Sequence, residues 1–452
     1  MQRNSRNGVI LRAMRKPWIR IVCIGFLLEF VWIALCRLGP LRENTAHFLI
    51  LILTAFILCL WTFFRIPIRT KQALLLVLGF ALLFRLTVLF APPHQSEDVY
   101  RYIWDARTAS MGINPYAYSP DAPELEKLHD DAVYPMINSK PYVTAYPPLS
   151  QILFRLSHEI FGTSVTAMKA VFSLLEFLAV LLAWRLLALW KCSTQPLLLM
   201  AWHPFFIFEF SHSGHSDSAM IFLILLSIYL LSRNLTGWAM AAYAGAVLAK
   251  LHPALWFPLF VKRVHWQALG SGLAVGLALM LFYFNSIEAL LRYMNSLRLY
   301  FQLFEFNASI HYLIRFIGQA GFNESWNKLI GPYLAAALIV TAILIIWRFP
   351  VRNARDLMRA GFWLMVADLC LATTVHPWYL SWAALALPFF PYAFMVYWTG
   401  AGFLSYIAYS YNPVYEPAWV LLVEYLPVYA LMVWEIRRGR PLLESWIQRR
   451  SQ

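Results

Sequence analysis

Residues 72–90 read QALLLVLGFALLFRLTVLF, and residues 91–105, APPHQSEDVYRYIWD, follow directly. The first segment is apolar over the length that an α-helix needs to cross the hydrocarbon core of a bilayer, about 20 residues. The second segment is polar and carries three carboxylates. This junction predicts a membrane-spanning helix that ends in a polar loop, which we place at residues 91–150.

The whole chain has the composition of a polytopic membrane protein. Of its 452 residues, 60% are hydrophobic and only 13% are charged, whereas about 25% of the residues of a soluble domain are charged. We predict an all-α fold, a transmembrane helical bundle of about 12 spans with one broken re-entrant hairpin. The predicted spans are 19–36, 46–64, 72–90, 167–190, 196–210, 219–232, 264–285, 329–347, 357–374, 377–391, 394–410 and 417–435.

The formal charge of +14 reflects membrane topology and does not indicate a nucleic-acid partner. Basic residues cluster at the N-terminus, in alternate connections, at 348–359 and in the tail after residue 436. The segment from the polar loop to residue 166 instead carries nine acids against five bases. The positive-inside rule therefore predicts cytoplasmic termini in a cytoplasmic (inner) membrane, with the loop on the outer side.

Residues 238–260 determine the remaining topology. A single crossing there would put the cluster at 348–359 and the basic tail outside, against the charge bias. We therefore predict a hairpin that enters and leaves on the cytoplasmic face and is broken around Lys250 to Pro253. Irregular backbone at that depth is tolerated where it is buried in protein or lines a wet cavity, so we expect a polar interior near Lys250.

We divide the chain into three parts on this pattern. Residues 1–71 contain a cytoplasmic tail and two accessory spans, and residues 392–452 contain the last spans and a basic cytoplasmic tail. Residues 72–391 form the expected catalytic core, with the outer loop 91–150 and a second outer segment at 286–328. The sequence shows no inverted repeat, a feature of many secondary transporters.

Two neighbouring carboxylates, Glu97 and Asp98, lie at the predicted outer end of the span at 72–90. At this level a water-soluble hydroxyl group and a lipid-held group can meet, and a carboxylate can remove the proton of the hydroxyl. The alternative interpretation is an exposed acidic loop that only follows the topology rules. The spacing of the residues does not decide between the two.

The order of the sequence motifs resembles that of a known family. The loop contains D-V-Y-R-Y-I-W-D at 98–105, G-I-N-P-Y at 112–116 and Y-P-P at 146–148, and later segments contain G-H-S-D at 214–217, A-K-L-H-P at 249–253 and H-P-W-Y at 376–379. This set resembles bacterial GT-C glycosyltransferases, and most closely the polyprenyl-phosphate-mannose-dependent α-mannosyltransferases. Two positions depart from the pattern, since Ala106 stands where Gly is expected and Ser216 where Asn is expected.

The resemblance implies an inverting enzyme that transfers a sugar, expected to be mannose, from a polyprenyl-phosphate donor to a lipid or glycan acceptor. The transfer would take place at the outer face of the cytoplasmic membrane. Asp98 matches the general base of such enzymes, and Glu97 is the alternate base. Polyprenyl phosphate is a good leaving group, so the site needs cations for the departing phosphate more than a strong acid. The chain contains no Gly-rich phosphate loop, which agrees with a lipid-linked donor.

Candidate groups for the donor phosphate are cationic or hydrogen-bonding, namely Arg85, Arg101, Lys250 and His376. For Arg85 the alternative is a side chain that extends to the lipid headgroups. For Lys250 the alternative is a structural ion pair with Asp368 or Glu176.

Other residues of the motifs are expected to contact the sugar or the acceptor. They are Tyr102, Trp104, Asp105, Asn114, Tyr146, His215, Asp217, Trp378 and Tyr379. We predict no metal and no other cofactor. A divalent cation held by His212, His215 and Asp217 is the less favoured alternative.

Two other functions fit parts of the sequence. A transporter or flippase of a lipid-linked or anionic solute would use Arg85, Lys250 and Asp368 as a polar path through the membrane. A transporter does not require a long outer loop that carries Asp98, and the loop therefore favours an enzyme. An enzyme of the same fold that transfers arabinose or glucose also remains open, because the shape of the pocket selects the sugar.

Overall fold

A computed structural model describes residues 16–40, 42–298, 304–322 and 326–451 of the chain. Most of the predicted N-terminal tail and parts of the predicted outer segment 286–328 lie outside these residues. The structure is 74% helical, and its described residues form no β-strand, which confirms the predicted all-α class. Phe306 and Thr374 form an isolated bridge.

We number the α-helices of nine residues or more in chain order. They are α1 (Pro17–Cys36), α2 (Thr45–Arg65), α3 (Lys71–Leu89), α4 (Asp98–Ser110), α5 (Pro148–Phe161), α6 (Val165–Leu189), α7 (Asp217–Ser232), α8 (Thr236–Ala249), α9 (Trp266–Tyr283), α10 (Ile287–Arg298), α11 (Ile310–Phe322), α12 (Asn327–Arg348), α13 (Ala354–Leu371), α14 (Ala393–Ala401), α15 (Ala418–Arg438) and α16 (Leu442–Ser451). Shorter α-helical pieces are Leu198–Ala201, Pro204–Phe206, Phe257–Val261 and Ser381–Ala384. The 3-10 helices are Pro123–Leu128, Tyr134–Met136, Gln195–Leu197, His252–Trp256, Pro377–Leu380 and Gly402–Ser410, and a π-helix occupies Ile207–His212.

Seven of these helices are long and apolar enough to cross a membrane. They are α1, α2, α3, α6, α9, α15 and the part of α12 from Leu329 to Arg348. The chain is therefore a helical membrane protein. The predicted count of about 12 spans, however, is not confirmed.

Several predicted spans differ from single long apolar helices. The segments 196–210 and 377–391 consist of short helical pieces that are almost entirely buried, and 394–410 is α14 followed by a 3-10 helix. The segment 219–232 belongs to α7, which has only 16 residues, and 357–374 lies mainly in α13, which carries several charges. Hydropathy does not distinguish a side chain that faces lipid from one packed inside the protein. Backbone in the protein interior can be irregular where other protein groups form hydrogen bonds with its N–H and C=O groups.

The predicted break near Lys250 is present. Helix α8 ends at Ala249, Lys250 is extended with φ of −154° and ψ of 134°, and a 3-10 helix begins at His252. Pro253 supports the break, because proline cannot donate a backbone hydrogen bond and restricts the residue before it. The break places Lys250 between two helices and His252 at the start of the second.

The polar loop is ordered, and hydrogen bonds hold its first residues against α6. Its helix α4 packs against α5, and Nζ of Lys169 in α6 donates hydrogen bonds to the carbonyl oxygens of Leu89 and Ala91 at 2.7 and 2.5 Å. Lys169 thereby holds the end of α3 and the start of the loop together. Ala106 lies inside α4 and not in a turn, so alanine at this position favours the observed conformation.

Candidate active site

A cavity of about 280 Å³ lies where α3, α8 and α13 end. The structure brings three of the sequence motifs together in its wall: the loop that contains Asp98, the break at Lys250, and the segment from His376 to Tyr379. Its other lining residues include Arg42, Asn138, Tyr146, His252 and Tyr409. The cavity therefore combines a carboxylate, cations and aromatic rings.

Asp98 is the first residue of α4, where the helix dipole favours a negative charge. Its Oδ1 accepts a hydrogen bond from Nδ2 of Asn138 at 3.0 Å. Its Oδ2 lies 3.7 Å from Nδ1 of His215, and 19% of its side chain is exposed. The carboxylate is thus oriented by two partners and still reaches the cavity.

The surroundings of Asp98 keep it ionised. Burial raises its pKa, but the proximity of His215, the hydrogen bond of Asn138 and the charge of His376 together outweigh burial, and the pKa falls to about 2. A group with this pKa is a carboxylate at neutral pH. Asp98 can therefore accept a proton there.

His215 is fully buried between two carboxylates. Its Nδ1 faces Asp98, and its Nε2 lies 3.4 Å from Oε2 of Glu209. Glu209 accepts hydrogen bonds from the hydroxyl of Tyr406 at 3.0 and 3.1 Å. The four side chains form a row from the cavity into the protein interior, with the imidazole ring stacked on Trp378 at 3.9 Å.

An irregular stretch of backbone positions Glu209 and His215. The helix is a π-helix over Ile207–His212, a conformation found frequently at functional sites. Gly214 follows with φ of +79°, and a Cβ atom at this position would lie 2.7 Å from Cγ of Lys169. Only glycine suits both the left-handed backbone and the close approach of Lys169.

Lys250 lies in the cavity wall and is paired with Asp217. Its Nζ donates to Oδ2 of Asp217 at 3.2 Å, and Nε1 of Trp382 donates to Oδ1 of the same carboxylate at 2.7 Å. The partners expected for Lys250 from sequence were wrong, because Asp368 pairs with His252 at 2.8 Å and Glu176 pairs with Arg85. The side chain of Lys250 is 15% exposed, so its charge faces the cavity.

The segment at 376–379 forms an aromatic wall. The ring of His376 is stacked on Phe306 at 4.8 Å and on Trp378 at 4.4 Å. Tyr379 is stacked on Trp382 at 4.4 Å. Burial lowers the pKa of His376 to about 3, so the imidazole is neutral at physiological pH and can donate or accept a hydrogen bond.

Arg85 does not reach this cavity. It is 1% exposed, and it forms a two-pronged ion pair with Glu176. Its Nη1 also donates to the carbonyl oxygens of Ala81 and Ala201 at 2.8 and 2.9 Å. Since its donors are already engaged in the protein, the expected phosphate contact at Arg85 is contradicted, and so is its extension to the headgroups.

Other predicted contacts also lie away from the cavity. Arg101 donates to Asp105 at 2.8 Å and to the carbonyl oxygen of Tyr142 at 3.0 Å, and Asp105 also accepts from Gln151. These bonds brace the loop internally. The expected roles of Arg101 in phosphate binding and of Asp105 in sugar binding therefore do not agree with the geometry.

Three further side chains of the motifs are structural in the same way. Trp104 packs beside Tyr134, and Asn114 donates to the carbonyl oxygen of Tyr283 at 2.6 Å. The ring of Tyr102 is stacked on Phe154 at 4.3 Å, and its hydroxyl accepts from the backbone N–H of Ser216. Tyr102 thus links the loop to the segment that carries His215, without lining the cavity.

Glu97, the alternate base, lies at the rim. Its carboxylate is 3.4 Å from Arg42, and the two side chains are 42% and 63% exposed. A solvated ion pair of this kind contributes little stability. Asp98 is the better oriented of the two carboxylates.

The motifs do not identify all members of the site. Asn138 lies in a part of the loop without a recognisable pattern, and Tyr406 lies in an apolar segment. The only sequence signal for Glu209 is a carboxylate in an apolar run just before the G-H-S-D motif. Among the described residues no three His, Cys, Asp or Glu side chains are arranged to hold a metal ion, and the absence of a cofactor stays a prediction.

The protein is an all-helical membrane protein with a cavity at the ends of its helices. This cavity contains an ionised carboxylate, a lysine and aromatic rings. The arrangement is that of a GT-C glycosyltransferase. A family model described as alpha-(1->6)-mannopyranosyltransferase, N-terminal domain, matches residues 27–266. Because this match covers more than half of the chain, the chain belongs to that family and is a mannosyltransferase. Searches of curated proteins and of solved structures give no match.

The match covers most of the site. It contains Asp98, Glu209, His215 and Lys250, and it ends before His376. It begins within α1 and includes α2, for which the sequence motifs give no specific resemblance. The family match therefore includes α2 and the second half of α1.

Proposed function

We propose that the protein transfers mannose from a polyprenyl monophosphate to a glycolipid or glycan acceptor, with inversion at the anomeric carbon, at the outer face of the cytoplasmic membrane. The observation that supports this most is the placement of Asp98 in one cavity with Lys250 and His376. This arrangement offers a proton acceptor for one substrate and phosphate contacts for the other. The division of the chain into a core at 72–391 and flanking parts is proposed with it.

Asp98 is the general base. The acceptor hydroxyl attacks the anomeric carbon of mannose, its oxygen forms the new glycosidic bond, and its proton moves to the carboxylate of Asp98. The bond between the anomeric carbon and the phosphate oxygen breaks, and polyprenyl phosphate leaves with the electron pair. A single carboxylate that acts in one displacement leads to inversion.

The low pKa of Asp98 suits this reaction. A carboxylate with a pKa of about 2 is a weak base. The transition state has oxocarbenium character, so the acceptor oxygen gains positive charge as it bonds to the anomeric carbon, and its proton becomes strongly acidic. A weak but permanently ionised base is then sufficient.

Lys250 and His376 stabilise the departing phosphate. The ammonium group of Lys250 supplies a positive charge that Asp217 holds in place, and the neutral imidazole of His376 supplies a hydrogen bond. Charged donors of this kind act on the charge that develops in the transition state. Arg42 lies at the rim of the cavity and can assist from there.

The position of the cavity suits a lipid-linked donor. Its lining includes Arg42, between the candidate spans α1 and α2, and residues that directly follow α3. This is the level of the lipid headgroups, where a polyprenyl phosphate presents its sugar while its chain stays in the bilayer. Tyr146, Trp378 and Tyr379 provide rings against which the sugar and acceptor can pack.

A comparison of donors tests the proposal. The purified full chain in lipid nanodiscs is incubated with an acceptor lipid extract and radiolabelled mannose, supplied either as polyprenyl phosphate mannose or as a nucleoside diphosphate mannose. We expect transfer from the first donor only, and an α-linked product from a β-linked donor. Transfer from the nucleotide sugar alone would contradict the proposal, and so would solute flux in proteoliposomes without any sugar transfer.

A further inference from the structure

A second cavity, of about 650 Å³, lies at the opposite ends of the same helices. Its wall contains Arg69, just before α3, and Lys191, just after α6. It also contains Arg355, in the first turn of α13, and residues of the C-terminal helix α16. Since α3 and α13 lead from these ends to the segments that carry Asp98 and His376, this basic cavity is separate from the candidate active site.

The basic cavity has an excess of positive charge. Arg69, Lys191 and Arg355 line it together with one carboxylate, Glu444. Within the part of the chain that the structure describes, none of the three cations forms a salt bridge, and the buried Nε of Arg355 has no hydrogen-bond partner. Cations that face one cavity repel each other, and a bound anion would remove this repulsion.

Hydrogen bonds fix the backbone segments that carry Arg69 and Lys191 relative to each other. The side-chain amide of Gln195 donates to the carbonyl oxygens of Phe63 and Ile66 at 2.7 and 2.9 Å and accepts from the backbone N–H of Ile68. The hydroxyl of Thr194 donates to the carbonyl oxygen of Ile68 at 2.6 Å. These bonds tie the segment before α3 to the segment after α6.

Lys191 has an unusual backbone conformation. Its φ is +54°, in the left-handed region that favours glycine and asparagine. Its backbone N–H and that of Cys192 donate to carbonyl oxygens in the last turn of α6, so the conformation ends this helix. A lysine that keeps a strained conformation at the wall of a cavity suggests a role for its side chain.

The remaining wall suits a lipid. Ile68, Phe389, Trp446 and Ile447 provide apolar surface beside the cations, and the ring of Trp446 lies 5.2 Å from that of Phe63 at the end of α2. The cavity therefore sits where candidate spans end, at the depth of the membrane interface. Basic pockets between membrane helices at this depth are typical sites for anionic phospholipid headgroups.

We propose that this basic cavity binds the phosphate headgroup of an anionic phospholipid from the membrane face that carries Arg69, Lys191 and Arg355. The headgroup phosphate lies among the three cations, and the acyl chains extend into the bilayer along the helix ends. Bound lipid joins α16 to α3, α6 and α13. The site differs from the proposed donor site in both position and ligand.

Thermal unfolding of the detergent-solubilised full chain tests this site. The unfolding midpoint is measured during titration with dioctanoyl phosphatidylglycerol, dioctanoyl phosphatidylcholine or inorganic phosphate. We expect a saturable rise with phosphatidylglycerol and none with the other two. An equal rise with inorganic phosphate would overturn the assignment to a lipid, and an equal rise with phosphatidylcholine would overturn the role of the anionic headgroup.

Two triple variants locate the effect. The variant R69Q/K191Q/R355Q is expected to need about tenfold more phosphatidylglycerol for the same rise. The control R348Q/R352Q/R437Q removes the same charge from the same end of the helices but changes no residue of the cavity wall. The proposal is wrong if both variants respond to the lipid as the unaltered chain does, or if the control loses as much response as the cavity variant.

A single substitution tests the same site in case the triple variant does not fold. Lys191→Gly suits the left-handed backbone, so we expect it to raise the midpoint in the absence of lipid. It also removes one of the three cations, so we expect it to weaken the response to phosphatidylglycerol. An unchanged response in this stable variant would contradict the proposed contact of Lys191 with the headgroup.

Discussion

The carboxylate of Asp98 lies 3.7 Å from Nδ1 of His215, and the imidazole ring is held on its far side by Glu209 at 3.4 Å. His215 is fully buried, whereas Asp98 reaches the cavity. In the proposed reaction the imidazole therefore acts on substrate only through Asp98. It lowers the pKa of the carboxylate and fixes its orientation.

Replacement of His215 by Asn is expected to change the pH dependence of turnover. Without the imidazole, burial raises the pKa of Asp98, so that the carboxylate becomes protonated at a higher pH as the solution is acidified. A protonated Asp98 cannot accept the acceptor proton. We therefore expect the acidic limb of kcat against pH to move to higher pH in His215→Asn.

The control for this experiment is His265→Asn, which changes an exposed histidine just before α9. Its profile should coincide with that of the unaltered enzyme. An acidic limb that stays in place in His215→Asn would show that the imidazole does not set the pKa of Asp98.

Glu209→Gln is expected to lower kcat with little change in KM. Glu209 contacts no residue that we place against the substrates, and it acts by orienting His215. At metal sites, loss of a group that orients a functional imidazole costs about 10–100-fold, and we expect a loss of the same order here. Steady-state kinetics give the two parameters separately.

The matched control is Glu435→Gln. Glu435 is as fully buried as Glu209, but its carboxylate accepts from the backbone N–H groups of Ala393, Phe394 and Leu442 at the basic end of the helices. Its folded fraction should retain the kcat of the unaltered enzyme. Equal losses of kcat in the two variants would indicate a general effect of removing a buried carboxylate.

Lys250→Met is expected to reduce kcat/KM for the donor by about 10–100-fold, the effect of losing one charged hydrogen bond of about 1.5–3 kcal/mol. The substitution also removes the cation that pairs with Asp217, whose carboxylate then keeps the hydrogen bond from Trp382. The double variant Lys250→Met/Asp217→Asn removes this unpaired charge, so it should regain stability without regaining activity. Recovery of activity in the double variant would show that Lys250 has only a structural role.

Arg85→Met is expected to affect stability and not donor binding. It leaves the carboxylate of Glu176 buried and unpaired, a change that costs about 3–5 kcal/mol in comparable sites. The unfolding midpoint of the solubilised protein should fall, and it should recover in Arg85→Met/Glu176→Leu. A stable Arg85→Met enzyme with a much higher KM for the donor would restore the phosphate-binding interpretation of Arg85.

The helical class, the break at Lys250 and five residues of the cavity wall could be predicted because they depend on composition and on the order of short motifs. Asp98, Lys250, His376, Trp378 and Tyr379 line the cavity, and each lies at a helix terminus or in the short segment that follows a helix. Such positions can be read from local sequence.

Pairings between distant residues could not be predicted. Glu176 lies 91 residues from Arg85, and Asn138 lies 40 residues from Asp98. An arginine inside an apolar span has the same sequence pattern whether it binds a lipid phosphate or a buried carboxylate. The predicted number of about 12 spans is not confirmed for a related reason, since interior segments such as 196–210 are as apolar as helices that face lipid.

Transfer of mannose by Asp98→Asn tests the central claim most directly. Asparagine keeps the size of the side chain and can still accept a hydrogen bond from Asn138, but it is not a base. With labelled polyprenyl phosphate mannose and a lipid acceptor, we expect kcat of this variant to fall by about 10²–10⁴-fold while donor binding persists. The control is Asp121→Asn, an exposed change in the same loop, which we expect to retain full activity. Turnover of Asp98→Asn at the rate of the unaltered enzyme would contradict the assignment of Asp98 as the general base.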